Sequence, residues 1–215
     1  MRSLAFRWKS RLLRLACARL AALPPGQPPG RADVAFLALA WGNPGYAAGP
    51  SYLRHLGERA SAVNGAVLEC GSGATTLLVA ALTARTGTEF VVLEHNAAWH
   101  ELLQRTLDDL GFDHVRLLHA PLKDYGGYLW YEVQAALVPE DIGLVVCDGP
   151  PGSTPGGRFG LMPVIGPRLG RRCVILLDDT HRRAERRVID VWRRYRCLRT
   201  SRVGRFGRYA ELVLC

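Results

Sequence analysis

The sequence predicts an α/β fold: a mostly parallel seven-stranded sheet with helices on both faces. Three observations carry this expectation. Strand-like and helix-like stretches alternate along most of the chain. The strand-like stretches are almost uninterrupted apolar runs, as parallel strands buried on both faces require. A glycine turn, Gly71-Ser72-Gly73, joins one of those runs directly to a helix-like stretch.

The 215 residues suffice for one well-buried domain and are few for two. Residues 1–23 read as a basic amphipathic helix. Leu4, Trp8, Leu12, Leu15, Ala16 and Leu20 share one face, and Ser3, Arg7, Ser10, Arg11 and Arg14 share the other. Arg19 intrudes on the apolar side. Such a helix suits peripheral contact with a membrane surface, packing on the domain, or packing on a second subunit, and the oligomeric state is not readable. Residues 24–30, Pro-Pro-Gly-Gln-Pro-Pro-Gly, end the helix as a linker. The expected organisation is therefore a helix and linker over 1–30 and a folded domain over 31–215.

Within that domain, residues 51–62 read as a helix, 66–70 as a short apolar strand and 75–85 as a helix with Leu77, Leu78, Ala81 and Leu82 on one side. A strand over 89–94, a helix over 97–110 and a strand over 114–119 follow. Residues 128–137 have helical spacing, and 142–147 form a strand. Pro163 and Pro167 allow only a broken helix over 158–169. A strand over 173–177, a helix over 181–195 and strands over 197–203 and 209–214 complete the chain. In such a sheet ligands bind at the carboxyl ends of the strands, where strand order reverses.

The formal net charge is +9, and Lys9 and Lys123 are the only lysines. This excess of arginine reflects either codon usage or attraction to an anionic partner. None of the six cysteines forms a Cys-x-x-Cys pair or has zinc spacing. Cys70, Cys147 and Cys173 fall inside apolar runs and read as small buried apolar groups in a reducing compartment, which points to a cytoplasmic location. No apolar run is long enough to span a membrane.

The stretch Glu69-Cys70-Gly71-Ser72-Gly73 runs from strand through turn to helix. Its glycines let the backbone turn sharply and approach a ligand closely. A dinucleotide site would place glycine or alanine where Thr76 stands. Glu69, just before the turn, suits a cationic amino-acid end better than a pyrophosphate. Glu94, at the end of the next strand, suits the two hydroxyls of a ribose.

These residues resemble the first two motifs of the class I S-adenosylmethionine-dependent methyltransferases, whose fold is Rossmann-like. Trp41-Gly-Asn43, Glu69–Gly73, Leu93-Glu-His95, residues 120–125, 147–152 and 176–180 are similar to a bacterial group within that family. The resemblance implies that Glu69, Gly71, Ser72 and Gly73 surround the amino-acid end of S-adenosyl-L-methionine and that Glu94 holds its ribose. It implies that His95 lines the adenosine pocket and that Asp148 lies beside the transferred methyl group. Many relatives carry an acidic residue near the adenine, where this chain reads His119-Ala-Pro-Leu122; packing on Leu122 and backbone groups are expected to take its place. In catechol-type O-methyltransferases similar strand ends hold a metal. By that likeness Asp148 and Asp179 would bind a divalent cation, although Thr180 stands where that family has an amide.

Asp148, Asp179 and His181 are the candidate catalytic residues, His181 as a near-neutral general base. The alternative for Asp178-Asp179 is one carboxylate capping the next helix and the other pairing with an arginine of 182–187. Trp41, Asn43, Tyr46, Tyr125, Tyr128, Trp130 and Tyr131 are candidates to cover cofactor and acceptor. The leading expectation is O-methylation of a small molecule or glycan. Methylation of RNA or protein is the second, although no nucleic-acid recognition module is visible. A non-catalytic, membrane-associated protein that kept the fold is the third.

Overall fold

The computed structural model describes residues 4–43, 48–204 and 207–215, with the side chains of residues 4–10 excluded. Ser3 and Tyr46, named above, lie outside the described residues.

The chain begins with α1 (Leu4–Ala21), α2 (Arg31–Trp41) and α3 (Pro50–Ser61). The alternating part follows as β1 (Ala66–Cys70), α4 (Ala74–Thr83), β2 (Phe90–Glu94), α5 (Ala97–Leu110) and β3 (Val115–His119). A small hairpin, β4 (Leu122–Asp124) and β5 (Leu129–Tyr131), precedes β6 (Ile142–Cys147). The chain ends with β7 (Leu169–Asp178), α6 (Arg183–Tyr195), β8 (Leu198–Val203) and β9 (Tyr209–Leu214).

Seven strands form one sheet in the order β3-β2-β1-β6-β7-β9-β8. All neighbours pair in parallel until β9, which runs antiparallel to both β7 and β8. Strand order reverses between β1 and β6, so a crevice opens above their carboxyl ends. Successive strand residues point to opposite faces. Val67, Phe90, Val92 and Val146 join the core that α1 to α5 cover. Leu68, Val91, Leu93 and Val145 join the other, covered by α6 and by Trp130, Tyr131, Leu161 and Met162.

Two stretches depart from the sequence reading. Residues 128–137 are not a helix: β5 pairs antiparallel with β4, Leu122 facing Tyr131, and only a 3-10 turn at Ala135–Leu137 follows. The pairing partner lies outside the local pattern, so helical spacing misleads here. Residues 31–41, for which no element is expected, form α2. Gly30 N–H donates to Asp33 at 3.2 Å to start it, and Gly42 at φ +67 ends it.

The apolar face of α1 differs as well. Leu13, Ala16, Cys17 and Leu20 are buried against the shared core of α2 and α4, whereas Leu12 and Leu15 are 37% and 54% exposed. Arg19 reaches outward to Asp33 at 2.8 Å and lies over the Phe36 ring. Burying each large side chain in this way contributes about 1.5–3 kcal/mol. That face of α1 is occupied by protein. Among the described residues, no helix is long and apolar enough to cross a membrane.

Candidate active site

The turn after β1 is shaped by its neighbours. Gly71 adopts φ +85, and a Cβ there would lie 2.9 Å from the backbone nitrogen of Gly149. The N–H groups of Asp148 and Gly149 both donate to the carbonyl of Cys70, at 3.1 and 2.6 Å. The ends of β1 and β6 are thereby clamped together, which brings Asp148 beside the Gly71–Gly73 turn. Above Gly73 the space is open: a Cβ there would meet nothing within 4 Å.

Thr76 occupies the third position of the glycine pattern for a local reason. Its hydroxyl accepts the Gly73 N–H at 2.9 Å, filling half of a capping box at the start of α4. Thr75 turns the other way and donates to Oε1 of Glu69. Glu69 is completely buried, and its Oε2 has no partner. Burial pushes its pKa up to about 8, against the lowering effect of the two threonine hydroxyls. A buried carboxylate with one open oxygen is a site for a cation that can also donate hydrogen bonds.

Glu94 closes the other side. Oε2 accepts from the Ser72 hydroxyl at 2.7 Å and Oε1 from the Asn96 N–H at 2.8 Å. His95 Nδ1 stands 3.2 Å from Oε1. Trp99 Nε1 donates to the Ser72 carbonyl at 3.0 Å and packs edge-on against Trp41, so an aromatic pair braces the turn. The half-buried Leu122, in β4, lies on the side of the sheet that carries Tyr131. Tyr131 is fully buried, its hydroxyl is unpartnered, and a Cβ on Gly149 would collide with that hydroxyl. Trp130 is equally buried and packs on Gly160.

The ends of β6 and β7 hold Asp148 and Asp179, with side chains 33% and 22% exposed. Between them sits a residue that the sequence reading missed. Arg158 is 1% exposed; its Nη2 lies 3.3 Å from Asp148 Oδ1 and 3.0 Å from Asp179 Oδ2. The same guanidinium donates to the carbonyls of Asp148 and Asp178. Glu185, 1% exposed and with both oxygens unpartnered, is a nearby carboxylate that raises the Arg158 pKa. Nothing local marks Arg158 in the sequence: it is one arginine after a glycine- and proline-rich turn.

This geometry corrects the expectation of a metal. The space between the two carboxylates is filled by a guanidinium, and among the described residues no three His, Cys, Asp or Glu side chains converge on a possible ion. The residues present do not fit a divalent cation. Asp179 also pairs with Arg182 at 2.8 Å, as one alternative for the double aspartate expects. Asp178 turns inward, where its Oδ1 accepts the Asp179 N–H and burial, then repulsion from Asp148, pushes its pKa to about 7. Burial also raises the Asp148 pKa, with Arg158 opposing.

His181 is exposed in the turn before α6, on the wall of a cavity of about 440 Å³ with Thr180, Arg186 and Arg193. Thr180 is tied to the β8–β9 loop through the carbonyls of Gly207 and Arg208. Tyr125 and Tyr128 stack on each other at 5.5 Å beside Phe159.

The fold of this chain is similar to that of solved structures. The SAH-bound methyltransferase PaMTH1 of Podospora anserina aligns with 69% of this chain and 71% of its own, at 17% identity and TM-score 0.53. The precorrin-6y C5,15-methyltransferase of Geobacter metallireducens aligns over 80% and 90%, at 11% identity and TM-score 0.56. The chain has the class I methyltransferase fold. The 16S rRNA N2 G1207 methyltransferase RsmC of T. thermophilus, solved with AdoMet and guanosine, shares this fold at 19% identity and TM-score 0.54, over 78% of this chain and 43% of its own. No family model and no curated protein matches the sequence.

Proposed function

We propose that this chain is an S-adenosylmethionine-dependent methyltransferase acting on an oxygen of a small molecule or glycan. The fully buried Glu69, whose Oε2 has no partner, beside a turn whose Gly73 would carry a Cβ into open space, is the observation that carries the reading. An ammonium group is the natural partner for that oxygen, because it brings both charge and donors. Glu94 accepts the ribose hydroxyls, with the Ser72 hydroxyl free to rotate aside. Leu122 and His95 flank the adenine.

Bound there, S-adenosylmethionine supplies a methyl group already activated as a sulfonium. The protein's own work is orientation, exclusion of water and the handling of one proton. Asp148 takes the proton of the acceptor hydroxyl; its raised pKa makes it a better base than an ordinary carboxylate. Arg158 keeps Asp148 and Asp179 apart and fixed while that proton is held. Holding the acceptor in line supplies roughly 7–11 kcal/mol of the barrier, and the base adds about 10²–10⁴-fold.

Calorimetry with S-adenosylhomocysteine tests the reading. The expected result is micromolar affinity that disappears in Glu94→Ala. No heat and no thermal shift with the unaltered protein would end it. A salt-sensitive gel shift with structured RNA would instead favour the alternative acceptor, for which the exposed arginines of α6 offer a face.

A further inference from the structure

A cavity of about 590 Å³ lies between α2, the first turns of α3 and the β8–β9 hairpin. Arg31, Arg54 and Arg202 line it, and Glu58 is the one carboxylate in its wall. Glu58 is shared, 3.2 Å from Arg54 and 3.3 Å from Arg202. The next carboxylate, Glu211, does not offset this charge. It is buried and already bound by Arg59 through two hydrogen bonds of 2.6 Å.

The remaining wall is set to present donors. Arg202 Nη1 stands 2.7 Å from His55 Nδ1. The same Nδ1 lies 3.2 Å from Glu58 Oε2, and His55 Nε2 lies 2.6 Å from Glu211 Oε2. Glu58 and the buried His55 thus hold Arg202 at the cavity wall. Gly49 caps α3 without a side-chain bond, and Ser51 of its first turn lines the cavity, so the positive end of the helix dipole faces the same space.

The cavity also neighbours the candidate active site. Tyr209, in its wall, is the register partner of Asp178, the residue before Asp179. Tyr52 packs edge-on against Tyr209 at 5.3 Å and donates to the Leu176 carbonyl. Tyr209 therefore links the wall of the cavity to the strand end that carries the acidic pair.

We propose that this cavity binds an oxyanion group, a phosphate, sulfate or carboxylate, borne by the methyl acceptor. The inference rests on the methyltransferase reading above for the words "methyl acceptor", and on the arginine cluster alone for the anion. It narrows the acceptor to anionic molecules such as acidic or phosphorylated sugars, and it places part of the chain's excess of arginine.

The test is a titration of the full chain with inorganic phosphate, and separately sulfate, at ionic strength held constant with sodium chloride. Binding is followed by thermal shift and by chemical-shift changes. Saturable binding is expected in the unaltered protein. Arg54→Gln and Arg202→Gln should each weaken it about tenfold. Arg116→Gln, on distant β3, where the guanidinium pairs with Glu89, should leave it unchanged. Arg54 is a half-buried residue of α3 whose side chain makes no hydrogen bond to His55, so its replacement also controls for the structural contacts of Arg202. Phosphate that acts no differently from chloride, or an equal loss in Arg116→Gln, overturns the site. S-adenosylhomocysteine is titrated in parallel. If it binds and phosphate does not, the anion site alone falls. If phosphate binds and it does not, the link to a methyl acceptor falls. In turnover assays, glucuronate- or phosphate-bearing acceptors should be preferred over neutral sugars, and Arg54→Gln should raise KM while leaving kcat in place. A preference for neutral sugars contradicts the proposal.

Discussion

Replacing Arg158 by methionine keeps much of its volume and removes its charge. The change strips the guanidinium from Asp148 and Asp179 and from two backbone carbonyls, and it leaves Glu185 facing an apolar group. Breaking a buried ion pair by removing one partner costs about 3–5 kcal/mol. The two aspartates keep some solvent contact, and Arg182 still holds Asp179, so the lower end applies, about 3 kcal/mol. For a chain of this length that is a fall in Tm of roughly 6–12 °C. The pH dependence carries the sign. Without Arg158 the folded-state pKa values of the carboxylates rise further, so the variant's folded state binds protons that the unfolded chain releases. Its deficit therefore grows as pH rises through these raised values and shrinks as pH falls from 7 toward 5. Urea unfolding at pH 7 and pH 5 measures both effects. A loss under about 1 kcal/mol at pH 7, or a deficit that does not change with pH, would refute the role given to this arginine.

Further outcomes follow from other contacts. Glu69→Gln removes a carboxylate whose folded pKa of about 8 lies above its unfolded value. Stability from that group is present at low pH and lost as pH rises toward 8, so the empty variant should melt at or above the unaltered protein at pH 8, while affinity for S-adenosylhomocysteine falls about tenfold or more. Gly149→Ala should cost about 1–3 kcal/mol by urea unfolding, because the new methyl meets the Tyr131 hydroxyl and the Gly71 backbone. Leu20→Ala should cost about 2–5 kcal/mol if α1 is packed as described, since Leu20 is 1% exposed. Millimolar magnesium should leave Tm and S-adenosylhomocysteine affinity unchanged, since Arg158 fills the space between Asp148 and Asp179.

The sheet and the turn that follows β1 were legible because the signals are local. Runs such as Val67-Leu68 and Phe90-Val91-Val92-Leu93 are apolar without a break, and β1, β2 and β6 lie where those runs lie. The Gly71–Gly73 turn and the paired carboxylates of Glu69 and Glu94 also stand within a short span. What escaped depends on partners distant in the chain. β5 is three residues long, too short for its own periodicity, and exists by pairing with β4. The buried stripe of α1 was chosen by α2 and α4, which rotated Leu13 and Cys17 inward in place of Leu12 and Leu15. Arg158 carries no local pattern, and its importance arises only when β6 and β7 end side by side. The metal expectation failed for that reason: two aspartates at adjacent strand ends read alike whether an ion or a guanidinium lies between them.

A crystal structure of the complex with S-adenosylhomocysteine tests the central claim most directly. The ligand's amino nitrogen is expected at hydrogen-bond distance, about 2.7–3.2 Å, from Glu69 Oε2, with both ribose hydroxyls on Glu94. A ligand seated elsewhere, or one whose amino group leaves Glu69 Oε2 still unpartnered, would contradict it.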